Sequence, residues 1–215
     1  MSIRLIKQRM CWRPTVPGWI LILLSLAGGG WIAIQNLMPF LAPTQPVRGA
    51  LLVVEGWAPD YALEQIPRIF REGGYKHLLV TGTEIERGSY ILSQNNYAQL
   101  ASNTLRRVGM PEDKIVVLPS ARVERDRTYT TAIEVRDWMR RTQSVEAVDV
   151  LTIGPHARRS WLLYRLALGT GRNVGIISFP SQEYDPNFWW KTSNGVRDVV
   201  DETVAYVYAR VLFHP

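Results

Sequence analysis

The distribution of apolar residues divides the chain into two unlike parts. Near the N-terminus, Arg13 and Arg48 bracket a stretch without a single charge, and inside it Ile20 to Met38 is mostly Leu, Ile, Ala, Gly and Trp. As an α-helix those residues span ~29 Å, which matches a hydrocarbon core of ~30 Å. A helix buried in a soluble core would carry some polar face, and this one is uncharged on every side. The pattern predicts a transmembrane helix within residues 16–42. Beyond it the rhythm changes. Short apolar runs at Ala50–Val54, His77–Thr81, Lys114–Leu118, Ala147–Ile153 and Val174–Ser178 predict five strands. Segments of helical period at Tyr61–Arg71, Asn95–Val108, Thr128–Arg141, His156–Leu168 and Val196–Leu212 predict the helices that follow them. Such alternation implies right-handed crossovers and a parallel sheet covered on both faces. The expected fold class is therefore α/β: a Rossmann-like three-layer sandwich with a mainly parallel sheet of about five strands, preceded by one transmembrane helix.

Between the two parts, Pro39, Pro43, Pro46 and Gly49 read as a stiff, extended connection that holds the domain off the bilayer. The predicted organisation is a basic tail over residues 1–15, a transmembrane segment over 16–42, a linker over 43–49 and an α/β domain over 50–215.

Charge fixes the expected topology. Arg4, Lys7, Arg9 and Arg13 precede the span, and no acidic residue occurs before Glu55. Positive flanks stay in the cytoplasm, so the tail is predicted inside and the domain outside, on a plasma (inner) membrane. The span runs into Leu37-Met38-Pro39-Phe40-Leu41-Ala42-Pro43, which lacks the small residues of a cleavage site, so an uncleaved signal anchor is expected. The net charge of +6 comes mostly from the tail; without those four positives, 21 Lys and Arg face 19 acidic residues. The high pI is therefore no argument for nucleic acid, and none is expected as a partner. The single cysteine, Cys11, precedes the span, which excludes a disulfide or a cysteine-based zinc site in the domain.

In open parallel sheets ligands bind beyond the carboxyl ends of the strands. That rule selects four loops. Glu55 ends the first strand and is followed by Gly56 and Trp57. A carboxylate there fits a general base, a hydroxyl anchor, part of a cation site or a helix cap. Thr81, Gly82 and Thr83 end the second strand with a tight turn whose amides and hydroxyls can cradle an anion. Glu84, Glu86 and Arg87 follow, as crevice residues or as a solvated face. Arg122, Arg125 and Arg127, interleaved with Glu124 and Asp126, lead to Thr128, the expected N-cap of the next helix. Arg127 is the arginine expected to face the crevice. Gly154 and Pro155 turn the chain into His156, a group able to move protons near neutral pH, with Arg158 and Arg159 on the following turn.

The candidate catalytic residues are thus Glu55 and His156. The candidate ligand-binding residues are Gly56, Thr81, Gly82, Thr83, Arg127, Thr128 and Arg159. No metal site is expected. The nucleophile elbow G-x-S-x-G, the phosphate loop G-x-x-x-x-G-K-[ST] and the zinc motif H-E-x-x-H are all missing, and no cofactor is assigned. Phe188-Trp189-Trp190 forms a bulky cluster that fits core packing, a pocket wall or a membrane interface.

Several stretches together resemble the ElyC/SanA/YdcF family of a domain of unknown function. They are Leu51-Leu52-Val53-Val54-Glu55-Gly56, the run from Gly73 to Thr83, Gly109-Met110-Pro111 with Ile115, Arg127 to Ala132, and His156-Ala157-Arg158-Arg159-Ser160; Glu202 falls in a closing helix similar to the family's last. Where this chain has Thr130-Thr131 the family commonly has a Glu-Asn pair. The resemblance implies a Rossmann-like domain, often tethered to the inner membrane, connected with cell-envelope and peptidoglycan biogenesis. The partners it implies are the membrane and an anionic, phosphorylated or lipid-linked envelope precursor, bound or chemically transformed. A nucleotide-like or S-adenosylmethionine-like ligand is disfavoured by the outside location.

The topology is tested by fusing alkaline phosphatase and green fluorescent protein in turn after Pro215. An active phosphatase and a dark fluorescent fusion are expected, and the opposite pattern overturns the orientation.

Overall fold

A computed structural model describes residues 14–85, 95–123, 125–144 and 147–215. The basic residues Arg4, Lys7, Arg9 and Arg13, Cys11, and the loop residues Glu86, Arg87 and Glu124 lie outside the described residues. Two compact units are present, one ending at Leu37 and one running from Met38 to Pro215.

Helix α1, Val16–Leu41, is one helix long and apolar enough to cross a membrane. Thr15 starts it: its hydroxyl accepts from the amide of Gly18 at 3.4 Å, and its carbonyl accepts from Trp19. The side chains along α1 are exposed up to its last turn, as expected of a surface made for lipid.

The second unit is a five-stranded sheet in the order β3-β2-β1-β4-β5, parallel throughout. Its strands are β1 (Leu51–Glu55), β2 (His77–Gly82), β3 (Ile115–Pro119), β4 (Val148–Ile153) and β5 (Val174–Phe179). Each falls on one of the apolar runs. The strand pleat sends alternate residues to opposite layers. Leu51 and Val53 join Val148 and Val150 under α5 (Arg127–Arg141) and α6 (Ala157–Leu168). Leu52 and Val54 join Leu78 and Val80 under α2 (Asp60–Leu63), α3 (Ile66–Gly73) and α4 (Tyr97–Arg107). The last helix, α7 (Ser193–Val211), packs on α6. Strands are added outward on one side of β1 and then, from β4, on the other, and this reversal of strand order opens a crevice at the carboxyl ends of β1 and β4.

The segment Tyr61–Arg71 is not one helix. Pro67 lacks the amide that would continue the helix from α2, so α2 ends at Leu63 and helix restarts with proline in the first turn of α3. His156 stands in a 3₁₀ turn, Gly154–His156, one residue ahead of α6. The segment read as a linker is docked on the domain. Gln45 pairs with Ile176 beside edge strand β5. The fully buried Asp149 near the amino end of β4 accepts from the amides of Val47 (2.7 Å) and Arg48 (2.9 Å) and from the Tyr75 hydroxyl (2.8 Å). Burial and the Asp149 carboxylate together hold the Tyr75 phenol well above its usual range.

Removing that carboxylate leaves three donors without an acceptor, at about 1–3 kcal/mol for each that stays dry, so Asp149→Ala is expected to cost about 3–5 kcal/mol. Asp149→Asn keeps one acceptor oxygen and should lose less. Thermal unfolding of the full chain in detergent checks this order; equal midpoints for all three proteins would contradict it.

Candidate functional site

The crevice is a cavity of about 700 Å³ at the carboxyl end of the sheet, within the range of small-molecule sites. Its floor comes from Glu55 and from Thr81, Gly82 and Thr83; one wall comes from Arg127 and Thr128, another from His156 and Arg159. The loops named from sequence therefore meet in one place. Two helices, α5 and α6, begin there with their amide ends.

Glu55 is 3% exposed. One carboxylate oxygen accepts from the Thr152 hydroxyl of β4 and the other from the Ser160 hydroxyl of α6 at 3.1 Å. Its Oε2 lies 3.5 Å from His156 Nε2. Thr152 comes from the neighbouring strand, since β1 and β4 run side by side in register, and the turn and helix that follow β4 bring His156 and Ser160. The other ring nitrogen, Nδ1, is 2.7 Å from Glu202 on α7. A terminal nitrogen of Arg159 lies 2.9 Å from the same Nδ1, so the Glu202–Arg159 pair holds that side of the ring and Nε2 is the nitrogen left for proton exchange. Nε2 is buried and makes no hydrogen bond among the described residues. Trp57 packs edge to face on the imidazole, with ring centroids 5.0 Å apart.

Arg159 completes the cluster. Its Nε donates to one oxygen of Glu202 at 2.9 Å and a terminal nitrogen donates to the other at 3.0 Å. The remaining nitrogen reaches the Thr128 hydroxyl at 3.4 Å. Burial opposes ionisation of Glu202, but His156 and Arg159 more than reverse it and hold the carboxyl well below its usual range. Burial likewise works against the charged form of Arg159, and the bonds and charge of Glu202 outweigh it.

Gly56 does not line the crevice. Its amide donates to the Thr81 carbonyl at 2.7 Å, and a Cβ there would lie 2.6 Å from the Tyr97 carbonyl. Gly82 lines the crevice and is equally tight, since a Cβ would come within 2.5 Å of the Ala98 amide. Both glycines let the start of α4 close onto the strand ends. Thr128 is not the N-cap; Asp126, in the left-handed region at φ 56°, occupies that position, and the Thr128 hydroxyl serves Arg159 instead. Arg127 is the first residue of α5 and lines the crevice; Arg122 and Arg125 are exposed outside it. Arg158 points elsewhere, donating to the Phe40 carbonyl at 2.7 Å and stacking over that ring.

Reading by strand ends did not select the contributions of α7. Asp198, Asp201, Glu202 and Ala205 all line the crevice. Their i, i+3, i+4, i+7 spacing places them on one helix face, and that acidic stripe was the available signal. Thr152 and Ser160 lacked any such signal. Among the described residues no group of three or more acidic, histidine or cysteine side chains is arranged to hold a metal ion. No protein-family model matches the chain, and no curated protein matches it.

The depressed pKa of Glu202 has a defined consequence for stability. The unfolded carboxyl titrates near 4.5 and the folded one lower, so the stabilisation is complete above that range and is lost as pH falls through the folded value. Glu202→Gln should therefore be less stable than wild type at neutral pH, with the gap closing on acidification. Denaturant titrations at neutral and acidic pH measure it, and a gap independent of pH would show that the ion cluster does not form.

Proposed function

We propose that this chain is a membrane-anchored cell-envelope protein whose α/β domain lies outside the cytoplasmic membrane and acts on a phosphorylated, hydroxyl-rich envelope precursor by acid–base chemistry. The observation that carries the chemistry is His156. Its Nδ1 is held by Glu202 and Arg159, and its Nε2 lies beside Glu55 with no hydrogen bond among the described residues. That is the arrangement of a general acid or base awaiting a substrate proton. Glu202 and Arg159 are positioning residues, since they act through the imidazole.

The substrate class follows from the lining. Arg127 and the two helix N-termini favour a phosphate. Glu202 is paired with Arg159 and adds little repulsion. Asp126, Asp198 and Asp201, also in the lining, suit the hydroxyls of a sugar or polyol, which donate to carboxylates. The long apolar helix and the resemblance to an envelope-biogenesis family support the location and the precursor class. A pure binding role would need the same charges but not an imidazole clamped by one nitrogen.

The test uses the full chain in detergent against a panel of sugar phosphates, their unphosphorylated sugars and polyprenyl-phosphate-linked sugars. For the compound bound most tightly, Arg127→Ala should weaken binding by about tenfold to a hundredfold, the loss of one charge-assisted hydrogen bond. His156→Ala should reduce turnover by about 10²-fold or more while binding persists. Retained turnover in His156→Ala refutes the catalytic role, and equal binding of unphosphorylated sugars refutes the phosphate. Arg122→Ala and Arg125→Ala should behave as wild type; if they are the damaging pair, the site is misplaced.

A further inference from the structure

Helix α7 turns its acidic face to the crevice and leaves another face bare. Val196, Val200, Val204, Val207 and Val211 are between 38% and 65% exposed. Their spacing of four, four, three and four residues is the repeat of one helix face, so they form a continuous stripe along nearly the whole 19-residue helix. Scattered exposed valines are ordinary, but an aligned row of five is not.

The charges on α7 are sorted around that stripe. At ~100° per residue, Arg197 and Arg210 lie about 60° and 80° to either side of its centre, whereas Asp201, Asp198 and Glu202 lie ~100° or more away. A valine row bordered by arginines suits acyl chains below and lipid phosphates beside them, because arginine can lay its stem along apolar surface and keep its head group polar. The 3₁₀ turn leading into α7 adds Phe188, which is 46% exposed, with the Lys191 ammonium 4.0 Å from its ring centre. Aromatic rings with adjoining cations are frequent at membrane interfaces. The Phe188-Trp189-Trp190 cluster thus divides its duties: Trp189 is buried in the domain while Phe188 faces out.

A second observation bears on the occupant. Phe40, in the last turn of the apolar helix, belongs to the domain and packs edge to face on Tyr206 of α7, with centroids 5.5 Å apart. Only a few residues of chain separate that contact from the unit that ends at Leu37. A lipid surface is therefore within reach of α7 whenever the span is inserted. We propose that α7, together with Phe188, is a lipid-docking surface that lays the domain on the membrane carrying its anchor. This inference is independent of the chemistry assigned to the crevice.

The full chain, with Cys11→Ser, is reconstituted into vesicles of mixed phosphatidylethanolamine and phosphatidylglycerol. A polarity-sensitive fluorophore is attached in separate variants at Val200→Cys, Val204→Cys and Val207→Cys, and at Glu72→Cys on exposed α3 as control. Quenching by lipids carrying nitroxides at shallow and deep acyl positions reads the depth. The stripe probes are expected at about 5–10 Å into the headgroup and acyl boundary, with blue-shifted emission, and the Glu72→Cys probe in water. Val200→Glu with Val204→Glu should return a probe at Val207→Cys to water without lowering the thermal midpoint, since both positions are exposed. Stripe probes that match the Glu72→Cys control overturn the proposal. So does burial without lipid quenching accompanied by disulfide crosslinking between Val204→Cys copies, which would assign the face to a second copy of the chain.

Discussion

A carboxylate removed from water has to be given hydrogen bonds or a counter-charge, and Glu55 is almost completely removed from water. It ends β1 at the point where the strand order reverses, so its partners come from the strand and helix on the far side of that switch. Thr152 on β4 and Ser160 on α6 supply the hydroxyls. Both are in place only when β1 and β4 are paired in register. The carboxylate thus ties the organisation of the crevice to correct assembly of the sheet. An apolar residue at the same position would pack, but would give the neighbouring imidazole nothing to face.

The imidazole is the hinge between this buried carboxylate and a second one. Glu202 reaches it from α7, and Arg159 holds Glu202 by two parallel hydrogen bonds. A helix packed on the outside of α6 is thereby made part of the site. Two arginine bonds and one histidine bond offset the loss of water around Glu202, a balance that fails if any one of the three is withdrawn. The same helix carries three surfaces: an acidic face at the crevice, a buried edge through Gly195, Val199 and Ala209, and the valine row. Site chemistry, domain packing and the proposed contact with lipid therefore share one rigid element.

At the opposite end of the sheet a different buried acid does comparable structural work. Asp149 gathers the amides of Val47 and Arg48 and the Tyr75 hydroxyl, and Gln45 pairs along the open edge of β5. The proline-rich segment uses the amides of Gln45, Val47 and Arg48 to bind the domain. Edge pairing also covers a strand that would otherwise offer unpaired backbone groups to other chains.

The strands, most helices and the apolar span were written into the sequence by itself, because they follow from local periodicity: five apolar runs give five strands, and a charge-free stretch gives α1. Glu55, the Thr81–Thr83 turn, Arg127, His156 and Arg159 were legible as crevice residues for a related reason, since each lies at or just past a strand end in an alternating pattern. Other features depended on neighbours far away in the chain. Thr152 and Ser160 look like ordinary core hydroxyls until Glu55 is brought beside them. Gly56 reads as a ligand contact until the backbone of Tyr97 is found against it, and Thr128 as a cap until Asp126 takes that position. The segment 43–49 reads as a free linker because nothing local reveals that Asp149, some hundred residues later, will accept its amides. Periodicity is a property of adjacent residues, whereas a hydrogen bond to a buried carboxylate belongs to whichever donors the fold delivers, and only the tertiary structure decides which those are.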